Sequence, residues 1–154
     1  MLNENDLAGG VQLQKRLQEQ GFSPAQQAYI LAKAFWERVN EQVSKLARER
    51  CIQEGIDYDH PAKEHLERWA DICLDAKEEL GWYEVCEQLR QAENQLLDWF
   101  ERVMKQDPQY RERLRRNPEL AEVWTKGRYW CRDKLIDLAM RFRPPNGINS
   151  KGVS

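Results

Sequence analysis

The chain has 154 residues, 41% of them hydrophobic and 32% charged, with a formal net charge of −2 at neutral pH. That is one domain's worth of chain, enough to bury one good core. A mean hydropathy of −0.86, with no apolar run near the roughly 18 residues that span a bilayer, argues against a membrane-spanning helix, and a pI of about 5.8 is far from the basic values typical of nucleic-acid domains.

The first residues, Met1-Leu2-Asn3-Glu4-Asn5-Asp6, lack the basic-then-apolar plan of a secretory signal, so a cytoplasmic location is expected. Residues 1–10 are polar, end in Gly9-Gly10, and are expected to form a flexible N-terminal tail. Val11 to Gln20 predicts a short helix with Val11, Leu13 and Leu17 as its apolar contacts and Gly21 as its closing residue.

A recurring phrase then marks where helices begin: a short polar residue and proline ahead of an amphipathic pattern. It occurs at Ser23-Pro24, at His60-Pro61 behind Asp59, at Asp107-Pro108 and at Asn117-Pro118. Proline suits the first helical turn because its missing N–H would be unpaired there, and Ser, Asp or Asn before it accepts bonds from the free N–H groups that follow. Ser23-Pro24-Ala25-Gln26 also has the reciprocal capping arrangement, in which Ser23 meets the third amide and Gln26 reaches back. Behind it Ala28, Leu31, Ala32, Phe35, Val39, Val43, Leu46 and Ala47 recur at steps of three and four, predicting a long helix to about Glu54 that Gly55 closes.

The next helix is expected from His60 or Pro61, with Ala62, Leu66, Trp69, Cys73, Ala76 and Leu80 as its seam. A third pattern follows in Trp82, Val85, Leu89, Ala92, Leu96, Trp99 and Val103. Gly81 stands between them, and a turn there is favoured over one kinked helix of roughly 45 residues, since glycine costs about 1 kcal/mol in a helix interior. Leu80-Gly81-Trp82-Tyr83-Glu84 resembles the inter-helix turn of a tetratricopeptide repeat. The distance to Pro108 exceeds the ~34-residue unit and no second copy follows, which excludes a repeat protein. Pro108 to Arg116 predicts a short basic helix anchored by Tyr110 and Leu114. A last long helix is expected from Pro118, with Leu120, Trp124, Gly127, Cys131, Leu135, Leu138 and Phe142 on one face and Arg143-Pro144-Pro145 as its end. Residues 144–154 are expected to be a flexible C-terminal tail. These elements predict an all-α protein: an antiparallel helical bundle of four main helices plus one or two short ones, in a single domain over residues 11–143.

Charge is unevenly placed. Residues 61–107 hold six Lys/Arg against twelve Asp/Glu, whereas residues 108–154 hold eleven against five. Opposed segments can complement one another within a bundle. A sharper reading takes the arginines as a binding surface. Arg111, Arg115 and Arg116 fall on neighbouring turns, as do Arg128 and Arg132, with Tyr129 among them, so these six are the candidate residues for binding a partner protein or, alternatively, nucleic acid. The wider basic series includes Arg113, Lys126, Lys134, Arg141 and Arg143, interspersed with Tyr110 and Trp130.

Catalytic and metal chemistry find little support. His60 and His65, near Asp57, Asp59 and Glu64, do not match the zinc-protease spacing, and two side chains five residues apart on a helix point about 140° away from each other. Glu-x-x-His pairs, a phosphate loop, a dinucleotide fingerprint and a nucleophile elbow are absent from the sequence. The four cysteines, Cys51, Cys73, Cys86 and Cys131, sit within helical patterns and are expected as free buried thiols. The tryptophans, among them Trp36, Trp69, Trp82 and Trp99, are expected as packing residues. The expected function is therefore that of a non-enzymatic interaction protein, an adaptor, assembly factor or small subunit, with no cofactor, no metal and no membrane partner. A homo-oligomer is compatible with it.

Overall fold

The computed structural model describes residues 4–143, with the side chains of residues 4–11, 110, 111, 124 and 127–130 outside that description. The protein is all-α: seven α-helices and no strand among the described residues. They are α1 (Glu4–Glu19), α2 (Pro24–Gln53), α3 (Leu66–Glu79), α4 (Trp82–Gln106), α5 (Tyr110–Arg116), α6 (Pro118–Trp130) and α7 (Arg132–Arg141), with a 3-10 turn at Lys63–His65 leading into α3. Helix α1 already includes Gly9 and Gly10, so the helix expected from Val11 begins seven residues earlier. Residues 1–3 of the expected N-terminal tail, and all of the C-terminal one at 144–154, lie outside the described residues.

Two of the four polar-proline phrases cap helices as their chemistry predicts. At the start of α2 the Gln26 amide donates to Ser23 Oγ at 3.2 Å and the Ser23 amide donates to Gln26 Oε1 at 2.9 Å, the reciprocal box in full. At the start of α6 Asn117 Oδ1 accepts from the Leu120 amide at 3.0 Å. The other two serve turns instead. Asp107 Oδ1 accepts from the Gln109 amide at 2.8 Å and α5 begins only at Tyr110. Around His60-Pro61 it is Asp57 that accepts the Asp59 and His60 amides, at 3.1 and 3.3 Å, while the Asp59 carboxylate is taken by Arg48. Helix α3 consequently starts at Leu66. Neither Asp59 nor His60 finishes it, which corrects the expected start at His60 or Pro61.

Three of the helices stop where glycine permits a left-handed residue. Gly81 has φ of 68°, a conformation that costs an L side chain steric energy; it separates α3 from α4 as a turn. Gly21 and Gly55 close α1 and α2 in the same way.

The chain divides into two compact units, one of residues through Leu31 together with those from Gln91 onward, the other of Ala32–Arg90. In the second, the core is Val39, Val43, Ala47 and Cys51 from α2, Ile56 beyond it, Ile72 and Ala76 from α3, and Val85 from α4, with Trp36, Trp69 and Trp82 packed around them. The indoles are satisfied at their N–H: Trp69 donates to the Tyr58 carbonyl at 3.0 Å, Trp82 to Asn40 Oδ1, and Trp36 to Cys86 Sγ at 3.4 Å. Leu66, expected in the α3 seam, is 47% exposed, because the helix begins at that residue and turns the face of Ile72 and Ala76 inward.

The first unit is centred on α4, whose Leu96, Leu97, Trp99, Phe100, Val103 and Met104 are all buried. Leu120 and Val123 of α6 and Leu135, Ile136 and Ala139 of α7 close over them. The expected single last helix is broken at Cys131, whose φ of −131° and ψ of 32° are not helical. The burial pattern explains the break. On a straight helix advancing about 100° per residue, the buried side chains of α6 and those of α7 would face roughly 140° apart; the interruption re-aims α7 so that both sets reach one core. At the break Arg132 Nε donates to Glu93 Oε2 of α4 at 3.0 Å and its Nη2 to Asn94 Oδ1 at 2.9 Å.

Gln26 does more than cap. Fully buried, its side-chain amide donates to the Ala139 carbonyl at 2.7 Å and the Phe142 carbonyl at 2.8 Å. It thereby satisfies acceptors at the C-terminal end of α7 that the helix itself leaves open.

Candidate partner-binding surface

The basic C-terminal helices hold a cleft of about 350 Å³ lined by Phe100 and Met104 of α4, Arg113 and Arg116 of α5, Asn117 and Leu120 at the start of α6, and Leu138, Arg141 and Phe142 at the end of α7. Its floor is apolar and its rim carries three guanidinium groups from two helices. The floor is held from beneath. Phe142 meets Phe100 and Trp99 edge-on, with centroids 5.4 and 6.2 Å apart, and its carbonyl is one of the two that Gln26 holds at 2.7 and 2.8 Å.

The three arginines are held unequally. Arg113 is anchored: its Nε lies 2.9 Å from Oδ2 of Asp107, a carboxylate 5% exposed, though the N–H is not aligned there as a hydrogen bond, and its guanidinium sits 5.3 Å from the Phe142 ring centroid. Arg116 donates to Glu112 Oε1 at 2.9 Å and Arg141 pairs with Asp137 at 2.7 Å, both at helical i, i+4 spacing, with both arginines largely exposed. Exposed pairs of this kind are worth little in water, so they exchange readily for another carboxylate. Glu112 also serves Arg115, leaving one carboxylate between two cations.

Of the six residues singled out from the sequence, the structure places Arg115 and Arg116 together on α5 and brings Arg116 to the cleft. Arg132 is not part of that surface: it is one-third exposed and committed to Glu93 and Asn94. The side chains of Arg111, Arg128 and Tyr129 lie outside the described residues, as do those of Tyr110 and Trp130. Arg113 and Arg141 belong to the basic series but were not among the six. Their signal is the spacing in which each basic residue stands next to, or three to four residues from, an apolar one: Arg113 with Leu114, Arg116 with Leu120, Arg141 with Leu138 and Phe142.

Other chemistry-bearing groups are occupied differently. All four cysteines are free, and burial pushes the Cys51 and Cys73 thiols above their ordinary value. Cys73 lines a second cavity, of about 250 Å³, with Asn40, Ser44, Tyr58, Lys77 and Trp82; Lys77 Nζ stands over the Trp82 ring at 4.4 Å. His60 is exposed and His65 half-buried in the 3-10 turn, and no group of three or more His, Cys, Asp or Glu residues suited to a metal is found among the described residues. Among the described residues no helix is long and apolar enough to cross a membrane. Comparison with protein-family models, curated proteins and solved structures finds no match to this chain.

Proposed function

We propose that this protein is a non-enzymatic interaction module of the cytoplasm, an adaptor, assembly factor or small subunit, which binds an acidic partner protein through the surface of α5 and the end of α7. The observation that carries this reading is the cleft in which three guanidinium groups surround an apolar floor. Arginine is favoured at protein interfaces because one planar group supplies charge, directed hydrogen bonds and a stacking face. Four unpaired cysteines fit a reducing compartment.

The test is affinity capture of the tagged protein from its own cells, with and without nuclease, beside the exposed-surface variant Arg116→Glu/Arg141→Glu. The expected result is a stoichiometric protein that survives nuclease and is lost from the variant. Nucleic-acid binding by the same arginines predicts the contrary: captured material released by nuclease, and an affinity that falls steeply with salt as counterions are displaced.

A further inference from the structure

We propose that the cleft is a socket for one bulky apolar side chain, of leucine or phenylalanine size, presented by a partner segment that carries carboxylates on both sides of it. This deepens the interaction reading above and rests on it.

Three features of the site select that occupant. The first is the floor. Phe100, Met104, Leu120, Leu138 and Phe142 line the cleft with carbon, and Oδ1 of the one side-chain amide in the lining, Asn117, is taken by the Leu120 N–H, so an entering group gains there by being apolar. The second is depth. Leu97, Trp99 and Val103 of the same core are at most 1% exposed, so no accessible surface runs on from the cleft into the core for an extended acyl chain. A cleft of about 350 Å³, open to solvent above a buried core, takes a side chain together with the backbone that carries it. The third is the rim. Arg113 and Arg116 stand on α5 and Arg141 on α7, so positive charge reaches the cleft from two different helices, and a segment with carboxylates before and after the anchor complements it. Arg113, fixed by Asp107 and stacked near Phe142, orients the mouth. Arg116 and Arg141, themselves exposed and held only by pairs within their own helices, are the two that turn from Glu112 and Asp137 to the incoming carboxylates.

The probe is a fluorescein-labelled peptide of composition Gly-Ser-Asp-Glu-Phe-Glu-Asp-Ser-Gly, titrated against the full chain by fluorescence polarisation, with two controls: the same peptide with serine for phenylalanine, and one with lysine for every acidic residue. Saturable binding that weakens about tenfold or more on the phenylalanine-to-serine change, and vanishes for the lysine peptide, is the expected result. Two variants of the protein complete it. Leu138→Trp fills the cleft while leaving every arginine in place, and Arg116→Gln/Arg141→Gln removes rim charge while leaving the floor; each should weaken the acidic peptide at least tenfold. Thermal melting checks that Leu138→Trp is folded, and the exposed arginine pair stands as the independent variant if it is not. Equal binding of the phenylalanine and serine peptides, or no saturable binding of either, overturns the socket. If that happens while the captured cellular partner is still lost from Arg116→Glu/Arg141→Glu, the basic surface binds by charge alone and the interaction reading stands; if the cellular partner is also retained, both fall.

Discussion

Gln26 is the residue on which the most depends. Its side chain closes a capping box with Ser23 and, through the other end of the same amide, holds the carbonyls of Ala139 and Phe142. Gln26→Ala removes one cap bond and also leaves buried acceptors without a donor, for an expected loss of about 3 kcal/mol in urea denaturation, whereas Ser23→Ala removes only the other cap bond and should cost about 1 kcal/mol. The difference separates the two duties. The capping half was legible in the sequence, because Ser-x-x-Gln ahead of an apolar run is a local pattern. The second half was not. It joins residues 113 and 116 positions apart, and no local spacing announces that a polar side chain will be buried against carbonyls from the far end of the chain. The same limit applies to the site: Arg116 was legible as part of a basic helix, but the assignment of Arg132 to Glu93 and Asn94, and the placing of Arg141 in the same cleft as Arg113, depend on how α7 is aimed.

At the scale of helices the expectations held where the determinant is local. The apolar series from Val85 to Val103 is buried throughout α4, and Gly81 turns the chain between α3 and α4. A Cβ built at Gly81 meets nothing within 4 Å, so the cost of Gly81→Ala is that of the left-handed backbone alone. A loss of about 1–2 kcal/mol is expected in denaturant unfolding, with the m-value unchanged. The expectations failed where a side chain had a better partner elsewhere. Asp59 and Asp107 read as helix caps, but Asp59 is engaged by Arg48 and Asp107 caps a turn at Gln109 while facing Arg113, and α3 and α5 start downstream, at Leu66 and Tyr110. The break at Cys131 follows from two buried faces that one straight helix cannot present together, and a stripe drawn at single-helix spacing from Leu120 to Phe142 concealed it. Gly9-Gly10 suggested a tail, yet α1 runs through them.

For the whole molecule, the excess of acid over residues 61–107 and of base beyond them is only partly cancelled between the two segments. Arg113 with Asp107 and Arg132 with Glu93 reach across, but Arg115, Arg116, Lys126 and Arg141 are paired with carboxylates of their own helices. Stability should respond to acid through the exposed pairs. Hydrogen bonding to Arg48 and Arg68 holds Asp59 and Glu54 below the ordinary carboxylate range. A carboxylate whose folded pKa is depressed stabilises the fold above its unfolded pKa, near 4, and loses that contribution as pH falls through the folded value. The variant Arg48→Gln/Arg68→Gln is therefore expected to show a shallower fall in urea midpoint than the parent between about pH 5 and about pH 3, with the small amplitude that exposed pairs allow. The division of the chain has a temporal meaning too. Residues 32–90 form a contiguous unit, whereas the other unit joins residues through Leu31 to residues from Gln91 onward, and its buried glutamine must wait for carbonyls made more than a hundred residues later. A chain synthesised from its N-terminus will therefore complete the middle of this protein first, and the opening residues of α2 will emerge from the ribosome as an unfinished edge that only the last helix can close.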